Sequence, residues 1–157
     1  MQFIIHNSQF IIMNGLNYEE ERMKEENLVL KKSKAFAIRI IKLYQYLNDE
    51  KKEYVLSKQI LRSGTSIGAN IKEAIRAQST ADFLSKMQIA LKEASESEYW
   101  LELLTETNYI DSKASDSILD DCRELIKLIT AIVRTSKENN GLTLNEIMNY
   151  EFRTGLL

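Results

Sequence analysis

The chain of 157 residues contains no proline, five glycines, one cysteine (Cys122) and one histidine (His6). Average usage would place about eight prolines in this length, so turn and breaker residues are scarce and a fold of many short strands is excluded. One cysteine rules out an intramolecular disulfide, and with one histidine no Cys/His zinc site assembles within the chain. A histidine-activated nucleophile would depend on His6 near the terminus, and a di-iron bundle needs Glu-x-x-His twice. No apolar run reaches the roughly 20 residues that span a bilayer, and the start lacks the basic segment of a signal peptide. The expectation is a soluble, cytoplasmic protein with no membrane association, no metal, no cofactor and no catalytic residues.

What is present is helical periodicity. A first helix is expected from about Leu28 to Asn48, where Phe36, Ile40, Leu43 and Leu47 repeat at helical spacing. After a polar turn over residues 49–53, a second helix from about Tyr54 to Gln78 carries Leu56, Ile60, Gly64, Ile67, Ile71 and Ala74 on one face. Gly64 and Gly68 inside it each cost about 1 kcal/mol against alanine, which points to a close helix approach. Ser79 and Asp82 form a capping-box pattern that opens a third helix. Its stripe is Phe83, Met87, Ala90, Ala94, Ser97, Leu101 and Leu104, and its small middle is expected to pack near Gly64. A fourth helix follows from about Ser112 to Lys137, with Asn139-Asn140-Gly141 as its stop. The fold class is therefore all-α, an up-down-up-down four-helix bundle. Helix four shows three apolar columns, led by Ile118, Leu119 and Cys122, and such width suits either self-association or a broad core.

The two ends read differently. Residues 2–8 (QFIIHNS) recur at 9–15 (QFIIMNG), with five of seven positions identical, too short and wrongly spaced for a coiled coil. Residues 1–26 are expected to be a disordered extension upstream of the true start, with Met13 or Met23 as the alternatives. Mass spectrometry of the native protein decides this. Residues 27–138 are the bundle, and residues 139–157 a poorly ordered tail.

Near-neutral net charge, −2 overall, hides a split. Residues 27–79 carry +7, residues 80–157 carry −6 and the first 26 carry −3. Such a split suits head-to-tail contacts between subunits. It also offers a basic surface for phosphates, namely Arg39 and Lys42 with Lys58, Arg62, Lys72 and Arg76, although charged rows are more often solvated faces. A second row on helix two, Lys58, Arg62, Ser66, Asn70 and Glu73, is expected to make packing or oligomer contacts. There Arg62 and Glu73 would clamp, and Ser66 and Asn70 would bond a neighbouring helix. The carboxylates of helix three, from Glu93 to Glu106, read as a solvated face. Glu73 and Glu93 are the pair to examine for a magnesium-dependent hydrolase. Tyr99 and Trp100 read as packing anchors, and Cys122 as a small buried hydrophobe.

The run from Gln59 to Ala74 (QILRSGTSIGANIKEA), then Ala81-Asp82-Phe83, residues 89–94 (IALKEA) and Tyr99-Trp100-Leu101, resembles a known family. It is the four-helix-bundle family of proteins encoded in intervening sequences of bacterial 23S ribosomal RNA genes. The likeness covers about residues 27–137, and its signature falls on Arg62, Ser66, Ile67, Asn70 and Glu73. The resemblance implies a small non-enzymatic bundle that forms a homo-oligomer, a pentameric ring in relatives. Related accessory proteins of diversity-generating retroelements bind nucleic acid and a reverse transcriptase, and look strongly basic, whereas this chain has a sequence pI near 5.6. The functional expectation is a self-assembling scaffold or accessory protein with RNA or a ribonucleoprotein as partner. The alternatives are a protein-protein adaptor and, more remotely, a magnesium-dependent phosphohydrolase or nuclease.

Overall fold

The structure is a computed structural model that describes the backbone of residues 2–154 and the side chains of residues 20, 21, 23, 24 and 27–138. Four helices follow in order: α1 (Gln2–Asp49), α2 (Leu56–Ala74), α3 (Thr80–Glu106) and α4 (Ser112–Thr154). Each packs on two others, α1 on α2, α2 on α3, α3 on α4, and α4 back on α1, and among the described residues the backbones of the diagonal pairs do not approach closely. That cyclic pattern with short connections is the up-down-up-down bundle expected from the sequence. Three expected boundaries shift: α1 begins at Gln2 rather than near Leu28, α2 stops at Ala74 rather than near Gln78, and the α4 backbone is helical through Asn139-Asn140-Gly141. The expectations for residues 1–26 and 139–157 concern segments whose side chains lie largely outside the described residues.

One core runs along the bundle axis. Phe36, Ile40 and Leu47 of α1, Ile60, Ile67 and Ile71 of α2, Met87, Leu101 and Leu104 of α3, and Leu125 and Ile129 of α4 are all essentially fully buried. Each stabilises the fold by roughly 1.5–3 kcal/mol against exposure. The small middle of α3 meets α2 through a buried pair, Ser97 Oγ donating to Ser63 Oγ at 2.9 Å. Gly64 and Gly68, by contrast, face α1. A Cβ on Gly64 would stand 2.8 Å from Ile40 Cγ1, and one on Gly68 3.3 Å from Ser33 Oγ. The expected close approach is real, but its partner is α1 rather than the small stripe of α3.

Side chains close the helix ends. In the α1–α2 turn, where Lys52 has φ 53°, the buried Glu53 carboxylate accepts from the backbone N–H groups of Val55 and Leu56, both at 2.9 Å, and of Ser57 at 2.6 Å. These are donors left without helical acceptors at the start of α2. Burial opposes ionisation of Glu53, yet the bonds from Leu56, Ser57 and Val55 outweigh it and hold the carboxyl below its usual value. At α3, Ser79 Oγ accepts from Asp82 N at 3.1 Å, as the capping pattern predicts. At α4, Asp111 Oδ1 accepts from Ala114 N at 3.0 Å.

Candidate nucleic-acid interface

The bundle sorts its cations into two groups. Arg39 reaches from α1 to α4, donating to Asp121 Oδ2 at 2.5 Å and to the carbonyl and hydroxyl of Ser117 at 3.0 and 3.1 Å. One helical heptad earlier, Lys32 pairs with Glu124 at 2.9 Å. Arg62 reaches from α2 to α3, donating to Glu96 Oε1 at 2.8 Å, and the same oxygen accepts from Trp100 Nε1 at 3.1 Å. Arg39 and Arg62, both expected on a phosphate-binding surface, are thus engaged at helix seams. Part of the split between the basic and acidic halves is thus used in ion pairs between helices of a single chain.

The remaining expected cations, Lys42, Lys58, Lys72 and Arg76, are exposed and make no ion pair among the described residues. Lys31 and Lys34, not singled out from the sequence, are in the same state. At 100° per residue, Lys31, Lys34 and Lys42 fall on the side of α1 opposite its core stripe, and Lys58 and Lys72 on the corresponding side of α2. Arg76 follows α2 at its C-terminal end. The readable signal is an absence: residues 27–48 and 54–72 contain no Asp or Glu at all. No carboxylate therefore stands on the same helix between Lys31 and Lys42 or between Lys58 and Lys72; Glu73, which follows Lys72, is paired with Lys86 of α3. The glycines add to the effect, because a close α1/α2 packing draws the two rows together.

The signature row on α2 divides, with Ser66 and Asn70 alone departing from the expected contacts. Ile67 is fully buried. Ser66 Oγ donates to the Arg62 carbonyl at 2.7 Å, and Asn70 Nδ2 to the Ser66 carbonyl at 2.9 Å, so both bond their own helix rather than a neighbour. Short polar side chains reach the carbonyl four residues back more readily than a separate helix. Glu73 accepts from Lys86 of α3 at 2.5 Å, and this bond with the nearby Glu73 charge raises the Lys86 pKa. Arg62 and Glu73 thus clamp α2 to α3 within one chain. Glu93 lies seven residues beyond Lys86 on α3, about 10 Å along the axis, so the Glu73 and Glu93 carboxylates do not converge. Among the described residues no group of three or more His, Cys, Asp or Glu is placed to hold a metal ion.

Cys122 of α4 is fully buried against α3, its thiol donating to the Ala94 carbonyl at 3.3 Å; burial pushes its pKa to about 12. Tyr99 packs edge-on to Trp100 and remains exposed, while Trp100 rests against the core. The wide face of α4 is consumed within the bundle: Ile118, Leu119, Cys122, Leu125, Ile129, Ile132 and Val133 are all buried. Ile126, from the same columns, is partly buried against the core, so among the described residues most of this face is covered within the bundle. Exposed large apolar side chains are spread over the bundle, among them Ile38 and Ile41 on α1, Tyr54 and Val55 at the α1–α2 corner, Ile75 after α2, and Ile89 and Tyr99 on α3. A groove of about 410 Å³ also opens at the looser α1/α4 seam, floored by Leu43, Ile110 and Ile118 and edged by Lys42 and Tyr46. Among the described residues no helix is long and apolar enough to cross a membrane.

Comparison with known proteins places this architecture. A search of curated proteins finds no match. Among solved structures, a protein of unknown function from the S23 ribosomal protein family of Bacteroides thetaiotaomicron is 57% identical. The match covers 70% of this chain and 98% of that one, with a TM-score of 0.69. The profile of the 23S rRNA-intervening sequence proteins matches residues 25–131, a span that includes α2, α3 and the outward cations of α1. The chain therefore belongs to the 23S rRNA-intervening sequence protein family.

Proposed function

We propose that this protein is a non-catalytic, self-assembling accessory protein that binds RNA, free or within a ribonucleoprotein enzyme, through its phosphate backbone on the outward α1/α2 face. The observation that carries the reading is the group Lys31, Lys34, Lys42, Lys58 and Lys72, exposed on two acid-free helical stretches, with Arg76 just beyond α2, all left out of the ion pairs among the described residues. Cations already held by carboxylates at a seam have little left to offer a phosphate; these six have their full charge available. Anisotropy of labelled RNA across a salt series tests it. The expected result is a log-linear loss of affinity with salt, the slope falling by roughly 0.7–0.9 for each contacting lysine replaced by alanine. RNA that stays unbound at low salt ends the reading.

The assembled form proposed is a ring, pentameric as the family resemblance suggests, with exposed Ile38 and Ile41 and the charge asymmetry as its physical support. Light scattering that returns five times the 18.2 kDa subunit mass supports it, and a monomer overturns it. A second reading, a protein-protein adaptor, is favoured by the apolar α1/α4 groove. Partners that survive nuclease treatment in a pull-down, with no loss on lysine replacement, would select the adaptor.

A further inference from the structure

We propose that the α1/α4 groove receives one unpaired base of a bound RNA strand, stacked on Tyr46, while the outward lysines hold the phosphates; the proposal rests on the RNA-binding reading above. The groove uncovers part of the core. Its floor residues Leu43, Ile110 and Ile118 keep 7%, 6% and 8% of their surface, whereas Ile40, Leu47 and Leu104 of the same core keep none. At about 410 Å³ it falls within the range of roughly 300–1,000 Å³ common for clefts that take a small planar group.

The rim carries the chemistry. Tyr46 is 42% exposed there, one turn from Lys42 on the same side of α1. The Lys51 ammonium stands 5.8 Å from the centre of the Tyr46 ring. Lys42 and Lys51 are exposed and enter no ion pair among the described residues. Arg39 and Asp111 also line the groove but are engaged elsewhere, Arg39 with Asp121 and Ser117, and Asp111 Oδ1 with the Ala114 N–H. An exposed ring beside an apolar floor, with two cations close by, is the combination that holds single-stranded nucleic acid: every base has a face to stack, and every nucleotide brings a phosphate. An apolar peptide would use the floor and leave both lysines without a counter-charge. Lys42 makes the groove continuous with the cationic face, because it lines the one and belongs to the other. A base held in a duplex must unpair and unstack before it can enter, so the RNA that fits offers an unpaired nucleotide.

The experiment titrates the full chain and its variants, across a salt series, with an unstructured RNA strand and with an abasic strand of equal length that has the same phosphates and no bases. The wild type is expected to bind the base-bearing strand at least about fivefold more tightly than the abasic one, the effect of a single stacked base. Tyr46→Leu removes the ring, and Ala114→Trp fills the groove from the exposed first turn of α4. Each is expected to erase that preference while leaving the salt slope and the melting temperature little changed. Tyr46→Phe keeps the ring and is expected to bind as the wild type does. Equal affinity of the wild type for both strands, a preference that survives Tyr46→Leu, or a mononucleotide bound as tightly as the strand overturns the proposal while the RNA-binding reading stands. Groove variants that lose a protein partner with RNA affinity unchanged overturn it in favour of the adaptor. No binding of either strand at low salt overturns both readings.

Discussion

Gly64 and Ile40 are fitted to one another: a methyl group on Gly64 would lie 2.8 Å from Cγ1 and 3.0 Å from Cγ2 of a fully buried isoleucine. Gly68, one turn further along, faces the hydroxyl of Ser33 at a less crowded 3.3 Å. The two glycines therefore differ in what a replacement must displace. Gly64→Ala gains about 1 kcal/mol of helix propensity but overpacks the α1/α2 contact, which typically costs 1–3 kcal/mol. We expect it to be net destabilising or at best neutral, Gly64→Val clearly destabilising, and Gly68→Ala neutral to mildly stabilising. Urea midpoints of the three variants check this order; equal tolerance at both sites would refute the packing account.

The division of the cations predicts a double dissociation. Arg39→Ala removes ties to Asp121 and Ser117 and is expected to lower stability by about 1 kcal/mol, the upper end for a partly exposed pair, while leaving RNA affinity within about twofold. Lys34→Ala with Lys72→Ala is expected to leave stability within about 0.5 kcal/mol and to cut RNA affinity substantially at low salt. Thermal melts and anisotropy on the same samples give both readouts. The reverse pattern would return Arg39 to the binding surface.

Glu53 predicts an acid-sensitive hinge. Its folded pKa lies below the ordinary 4.5, so the carboxylate stabilises the fold fully above that value, and the contribution is lost as pH falls through the lower folded pKa. Glu53→Gln keeps an acceptor but loses the charge, and is expected to cost about 1–2 kcal/mol at neutral pH. Below about pH 4 the stability difference between variant and wild type is expected to shrink. A difference constant from pH 7 to pH 3, measured by denaturant titration, would contradict this role.

Cys122 supplies a probe of opening. Its thiol is buried, bonded to the Ala94 carbonyl and shifted to about 12, so a thiol reagent at pH 8 is expected to label the protein only at the rate of unfolding or local opening. Because the folded pKa is raised, the neutral thiol's contribution is complete below the unfolded value near 8.5 and is lost as pH climbs toward 12. Cys122→Ala removes that alkaline component, along with some packing. Rapid labelling of the native protein in the absence of denaturant would show that the α3/α4 seam breathes.

Much of this bundle was legible because its determinants are local and periodic. The stripes beginning at Phe36, Ile60, Met87 and Ile118, the Ser79–Asp82 cap and the lack of proline fix four helices and their inward faces, since burial of an amphipathic face leaves little choice. Glu53 was not legible as a cap, because its carboxylate reaches forward to α2 from a turn that reads only as polar. The width of α4 was visible, but only packing reveals that the neighbouring helices cover it. The functional surface divides in the same way. That α1 and α2 are rich in cations and free of carboxylates is written in the linear order of residues. Which cations remain available is a matter of distance: Arg39 and Arg62 find Asp121 and Glu96 across seams spanning 82 and 34 residues of chain, and only the closed bundle brings those carboxylates within hydrogen-bond reach. Sequence alone determined the helices and their total charge; the tertiary structure decided which charges are spent on holding the helices together and which are left facing outward.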